Sequence, residues 1–82
     1  KDPWCHFIGT LGPHDPYMVP SRFVDQYDLE GIVLPANFSD MMHDKPGLYR
    51  RTRSRFDQLT LHEHREALRH YYAFCSYEDW LF

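Results

Sequence analysis

Residues 4–11, WCHFIGTL, form the most apolar short run in the chain and stop at a Gly-Pro pair. A run of this length, rich in aromatic and β-branched residues and bounded by turn formers, reads as a strand buried on both faces, as in a parallel sheet. It constrains the fold more than any other feature, because such a strand needs a neighbour along each edge and a covering layer on each face. On this reading the chain belongs to the α/β class, yet it provides no obvious neighbouring strand.

The following segments read as follows. GPHDPYMVP, residues 12–20, is turn and extended chain, since each proline biases the preceding residue away from helix. A short helix is expected in SRFVDQY, with Pro20 and Ser21 at its start and Phe23, Val24 and Tyr27 on one side. DLEGIVLPANF reads as extended, with Pro35 arguing against a central strand. Residues 37–58, around DKPG, read as a long irregular loop with a helical turn near residues 48–55, and a loop of that length counts against an autonomous domain.

The clearest element begins at Thr60. TLHE is a capping box, in which Thr60 accepts from the backbone of Glu63 and Glu63 reaches back. From there Leu61, His64, Leu68, Tyr71, Cys75 and Phe82 recur at helical spacing and draw one apolar stripe to the end of the chain. Tyr72, Phe74, Trp80 and Leu81 lie outside that stripe, so the helix expects packing on more than one side.

With 82 residues the chain makes one small domain at most, and a unit of this size hides only about 60% of its unfolded surface. Six Tyr, six Phe and two Trp are more than a core that thin can take, which implies surface meant to be covered. The net charge of −3 gives no overall basic field for nucleic acid or an anionic membrane. The one basic cluster, YRRTRSR, reads as a solvated face paired internally with Asp40, Asp44 and Asp57, with anion binding as the alternative. No run approaches the about 20 apolar residues of a membrane span, and no basic-then-apolar signal pattern opens the chain. The opening KDPW and closing EDWLF read as cut ends. Cys5 and Cys75 read as buried free thiols, with a single bridge as the alternative.

Three segments invite a chemical reading. In GPHDP, Gly12 and Pro13 fix the backbone so that His14 is presented at the end of the expected strand, where α/β sheets bind ligands. An imidazole there can donate to an anionic oxygen or protonate a leaving group; the plainer alternative is that His14 caps a turn and Asp15 makes an Asx-type bond. In HEHREALRH, His62 and His64 face different ways on a helix, and Glu66 and His70 lack an evident third ligand for zinc. MVPSR matches part of a cysteine-x-Pro-Ser-Arg nucleophile signature, but Met18 stands at the cysteine position and supplies no nucleophile.

The stretch FIGTLGPHDPYMVPSRFVDQYD, followed by LPANF and later by HYYAFCSYEDWLF, resembles the middle of a sulfatase of the arylsulfatase-like branch of the alkaline phosphatase superfamily. In that branch a core strand ends in a Pro-His turn, an aromatic-Pro segment and a short helix with a Tyr-Asp corner follow, and a helix with paired tyrosines carries Ser and Asp a turn apart. Tyr71, Tyr72, Ser76 and Asp79 match that helix, while Trp80 and Leu81 replace smaller residues.

The resemblance implies a fragment of an alkaline-phosphatase-like α/β sandwich, with one N-terminal core strand, a long irregular middle and a C-terminal amphipathic helix. Residues 1–82 would then be a partial sulfatase catalytic domain and not an autonomous one. It implies a hydrolase of sulfate monoesters, acting on a small molecule or glycan, with a formylglycine nucleophile and calcium or another divalent cation. His14 would contact the sulfate or the leaving-group oxygen, with Asp15 beside it on the substrate side of the turn. The nucleophile would precede residue 1 and the metal ligands would follow residue 82, so the isolated segment is expected to bind no metal and to be inactive. Two other readings stand beside this one: a phosphodiesterase or phosphonate monoester hydrolase of the same superfamily, and a stand-alone interaction module without catalysis. The sequence sets no compartment.

Overall fold

A computed structural model describes residues 2–82 of the chain. Three helices follow one another: α1 (Ser21–Val24), α2 (Gly47–Phe56) and α3 (Leu61–Leu81). Together they hold 43% of the chain, and no strand or sheet is present among the described residues.

The expected α/β architecture is therefore wrong. Residues 4–11 are extended but pair with nothing: between residues 2 and 11 one backbone group alone bonds to another, the Leu11 carbonyl, which accepts from His14 N at 3.0 Å. Trp4, Phe7 and Leu11 are 84%, 92% and 90% exposed. The physical reason lies in the rest of the chain. A doubly buried strand is stable only between two others, and the second extended stretch, around Ile32–Leu34, runs into Pro35 and forms no ladder. Apolar composition alone predicted the strand; pairing, which composition does not encode, decides whether it forms.

α3 is the backbone of the molecule. Its capping box closes as the sequence requires: Thr60 Oγ1 accepts from Glu63 N at 3.2 Å, and Thr60 N donates to Glu63 Oε2 at 2.7 Å. The 21 residues span about 31 Å. α1 is one turn, entered through Pro20, and packs on α3. Its Phe23 ring lies 5.3 Å from Tyr77 and 6.0 Å from Trp80, and the Arg22 guanidinium sits 4.9 Å over both Phe23 and Trp80. Beyond α1, Tyr27 Oη and Ser76 Oγ hydrogen-bond at 2.6 Å, and Arg69 Nε donates to the Tyr27 carbonyl at 2.8 Å. The side of α3 bearing Ala73, Ser76 and Tyr77 therefore receives the preceding chain, and Ala73 is completely buried.

α2 contains the helical turn expected near residues 48–55 and lengthens it to Gly47–Phe56, while the rest of residues 37–58 is irregular. Pro46 precedes its first turn and Gly47 opens it, and the arginine-rich sequence behind them consists of good helix formers. No residue of α2 is buried, and it packs on neither other helix. Its main tether is Arg53, which donates to the Phe38 carbonyl, lies 5.3 Å over the Phe38 ring and pairs with Asp57 at 2.8 Å.

The core is small. Phe23, Ile32 and Ala73 are the buried apolar residues among those described. The radius of gyration is 17.0 Å, against about 12 Å for a compact domain of this length. The accessible surface is 7015 Å², where a folded monomer of this mass exposes roughly 5,200 Å². Exposed apolar side chains run the length of the chain, from Trp4, Phe7 and Leu11 through Met18, Val33 and Leu48 to Trp80 and Phe82, and they are the surplus that the aromatic content announced.

Candidate functional site

The turn Gly12–Pro16 is built by its composition. Pro13 and Pro16 restrict the backbone, and two hydrogen bonds close the chain around them, His14 N to the Leu11 carbonyl at 3.0 Å and Met18 N to the Pro16 carbonyl at 2.8 Å. His14 Nδ1 lies 2.6 Å from the Asp15 carbonyl oxygen and 3.1 Å from Asp15 Oδ1. Both side chains are 76% exposed, so their mutual charge attraction is screened by water and adds little. With Nδ1 directed at Asp15, Nε2 is the ring nitrogen left to meet another molecule.

The turn does not hang free. A Cβ built on Gly12 would overlap the Glu78 side chain, so the backbone of the turn lies against α3 and a side chain at position 12 would displace Glu78. Glu78 Oε2 is buried there without a hydrogen-bond partner among the described residues. Five residues on, Tyr17 meets Tyr71 of α3 edge to face at 5.8 Å. His14 is thus carried on a segment fastened to α3 on both sides, at Glu78 and at Tyr71.

Beside Tyr17 an open cavity of about 380 Å³ runs between segment 34–38, which turns after Pro35, and α3. Tyr17, Leu34, Phe38, His64, Leu68 and Tyr71 form most of its wall. His64 is part of this wall through its edge-to-face contact with Phe38 at 4.8 Å, a packing role. Neither His14 nor Asp15 lines the cavity.

The other segments singled out in the sequence resolve into structure. His70 Nδ1 lies 2.9 Å from the Glu66 carbonyl and 3.7 Å from its carboxylate, an ordinary helical neighbour pair. Among the described residues no group of three or more His, Cys, Asp or Glu side chains could hold a metal ion. In MVPSR, Pro20 and Ser21 start α1 and Arg22 covers the Phe23 and Trp80 rings. Both cysteines are free, but neither is buried: Cys5 is exposed and Cys75 half-buried. A hydrogen bond with Cys75 holds the Tyr71 hydroxyl above its usual pKa.

The paired basic face is corrected as well. Asp40 accepts from Met42 N, Asp44 binds Lys45 and Asp57 binds Arg53. Arg50, Arg51 and Arg55 pair with no carboxylate among the described residues.

Sequence reasoning did not reach Glu78, Arg69 or the Tyr27–Ser76 bond. Each joins positions more than forty residues apart, and no local spacing marks such a pair. No helix among the described residues is long and apolar enough to cross a membrane. Comparison with protein-family models, with curated proteins and with solved structures gives no match.

Proposed function

We propose that these residues are an internal part of a sulfuric ester hydrolase of the formylglycine type, in which His14 meets the sulfate or the departing oxygen. The observation that carries this reading is the joining of the segments on which the resemblance rests. The Tyr-Asp corner and the paired-tyrosine helix, distant in sequence, are tied by Tyr27 to Ser76 and by Arg69 to Tyr27, and the histidine turn is seated on the same helix through Gly12 and Tyr17. The ordered match in sequence thus corresponds to one physical unit. The core strand that the family places before this turn does not form at residues 4–11, so the reading rests on the joined segments alone.

His14 performs a limited task in it. With Nδ1 turned toward Asp15, a proton held on Nε2 donates to an anionic oxygen, and transfer of that proton to the leaving group neutralises the alkoxide as the ester bond breaks. Asp15 orients the ring. Calcium or another divalent cation would act in the parent as Lewis acid and template, but the described residues offer no set that fits it. The exposed Trp4, Phe7 and Leu11 supply the surface on which the remainder of such an enzyme would close.

The test is made on the polypeptide translated from the complete reading frame that carries these residues. Hydrolysis of 4-nitrophenyl sulfate is expected, with His14→Ala lowering the rate by about 10²- to 10⁴-fold. Hydrolysis of phosphate diesters or phosphonates in place of the sulfate would overturn the assignment in favour of a superfamily cousin. Absence of all three activities would favour a non-catalytic binding module.

A further inference from the structure

We propose that α2 presents a docking surface for a sulfated polysaccharide, formed by Arg50, Arg51 and Arg55. This goes beyond the hydrolase reading and stands whether or not that reading survives.

The three arginines are distinguished by what they lack. Of the cations between residues 43 and 57, Lys45 is matched by Asp44 and Arg53 by Asp57, while Arg50, Arg51 and Arg55 are exposed and face no carboxylate among the described residues. No acidic residue stands in the first turn of α2. The chain as a whole is negative, so this patch is a local reversal of sign.

Geometry gathers the charges. At about 100° per residue, Gly47, Arg50, Arg51, Ser54 and Arg55 fall within roughly 140° of the helix circumference, and Tyr49 and Phe56 lie on the opposite side. Arg50 is held by two carbonyls, its Nη1 donating to His43 at 3.3 Å and to Lys45 at 2.8 Å. A methyl group at Gly47 would stand 3.8 Å from Arg50 Nη2 and 3.9 Å from Arg51 Nη1. Two guanidinium groups therefore converge beside the first turn, and Arg55 continues the row about 6 Å further along the axis.

Planar guanidinium forks suit tetrahedral oxyanions, which they bind through paired N–H donors. A row of them on a rod suits a linear chain that carries such anions repeatedly. Two polyanions compete for that description. Single-stranded nucleic acid binds through a basic track combined with aromatic platforms for its bases, and the arginine arc carries no aromatic residue. A lipid surface needs a band of apolar side chains inserting beside the charges; Leu48 alone stands beside Arg55, and the exposed Tyr49 and Phe56 rings lie on the opposite side. A sulfated polysaccharide requires charge and hydrogen bonding alone, which is what the arc provides.

The experiment measures binding of the 82-residue chain to a heparin-derived oligosaccharide by titration calorimetry at two salt concentrations. The expected result is saturable binding that weakens with salt and that Arg51→Ala/Arg55→Ala weakens by about tenfold or more. Alanine preserves the helix, and circular dichroism verifies that α2 remains. Arg65→Gln, which removes charge from α3, is expected to change affinity less than about twofold. Equal losses in both variants would show a general charge effect and overturn the proposal, as would absence of binding. Oligothymidylate of equal charge competing as well as the oligosaccharide, or binding to anionic vesicles at comparable affinity, would reassign the surface to nucleic acid or lipid and overturn it too.

Discussion

Tyr27 Oη and Ser76 Oγ lie 2.6 Å apart, joining two positions 49 residues distant in the chain. The bond is half-buried and the same tyrosine receives Arg69 at its carbonyl, so one residue beyond α1 is held by side chain and backbone to points about two turns apart on α3. With so few buried apolar side chains, these polar clasps matter more here than in a larger domain.

Removing the clasp should loosen the middle of α3. Tyr27→Phe deletes a hydrogen bond that contributes about 0.5–1.5 kcal/mol, so amide hydrogen exchange across residues 73–77 is expected to speed up by roughly two- to tenfold. Ser76→Ala should add almost nothing once Tyr27→Phe is present. Two fully additive effects would mean that the hydroxyls act separately.

The start of α3 should respond to acid. The bonds from Thr60 to Glu63, backbone first and side chain second, hold the Glu63 carboxyl below its usual pKa. A depressed folded-state pKa contributes stability that is complete above the unfolded value and is lost as pH falls through the folded one. Helical ellipticity at 222 nm is therefore expected to decline below about pH 4, near the ordinary glutamate value. Glu63→Gln should flatten that limb of the curve. Thr60→Ala should lower helix stability by about 1 kcal/mol at neutral pH.

The exposed first segment should drive self-association. Trp4, Phe7 and Leu11 lie almost wholly in water beside an unpaired backbone, a combination that invites edge pairing. The chain is expected to melt over a broad, concentration-dependent range, and Trp4→Ser/Phe7→Ser/Leu11→Ser should reduce association in sedimentation velocity with helix content unchanged. A sharp monomeric transition in the unaltered chain would favour an autonomous module.

The isolated 82 residues should not hydrolyse 4-nitrophenyl sulfate, with or without calcium. On the proposed reading a lone positioned histidine accounts for about 10²- to 10⁴-fold of rate, and the formylglycine nucleophile, which these residues do not supply, would account for more. Turnover that rises in proportion to purified chain would refute this expectation.

What the sequence disclosed depended on the range of each interaction. Thr60 and Glu63 are three apart, and their reciprocal bonding is written in the residue types alone. The helical turn expected near residues 48–55 is present and extends to ten residues, Gly47–Phe56, because proline before a helix and arginines within it are compatible with helix from the first residue. WCHFIGTL was assigned to a sheet on apolarity, a property shared by any segment that awaits a cover, and the pairing that makes a strand lies outside the segment itself. The seat of His14 was invisible for the same reason: Glu78 carries no local sign that it meets Gly12.

That meeting makes position 12 a point of attachment. The turn bearing His14 presses its bare α-carbon on a glutamate whose oxygen lies buried without a partner, so any side chain introduced there must evict Glu78 before the turn can reseat. Because the overlapping atoms end a flexible side chain, alanine at a residue with no chemistry of its own is absorbed by turning Glu78 out to water, and what is lost is the contact that seats the turn on α3.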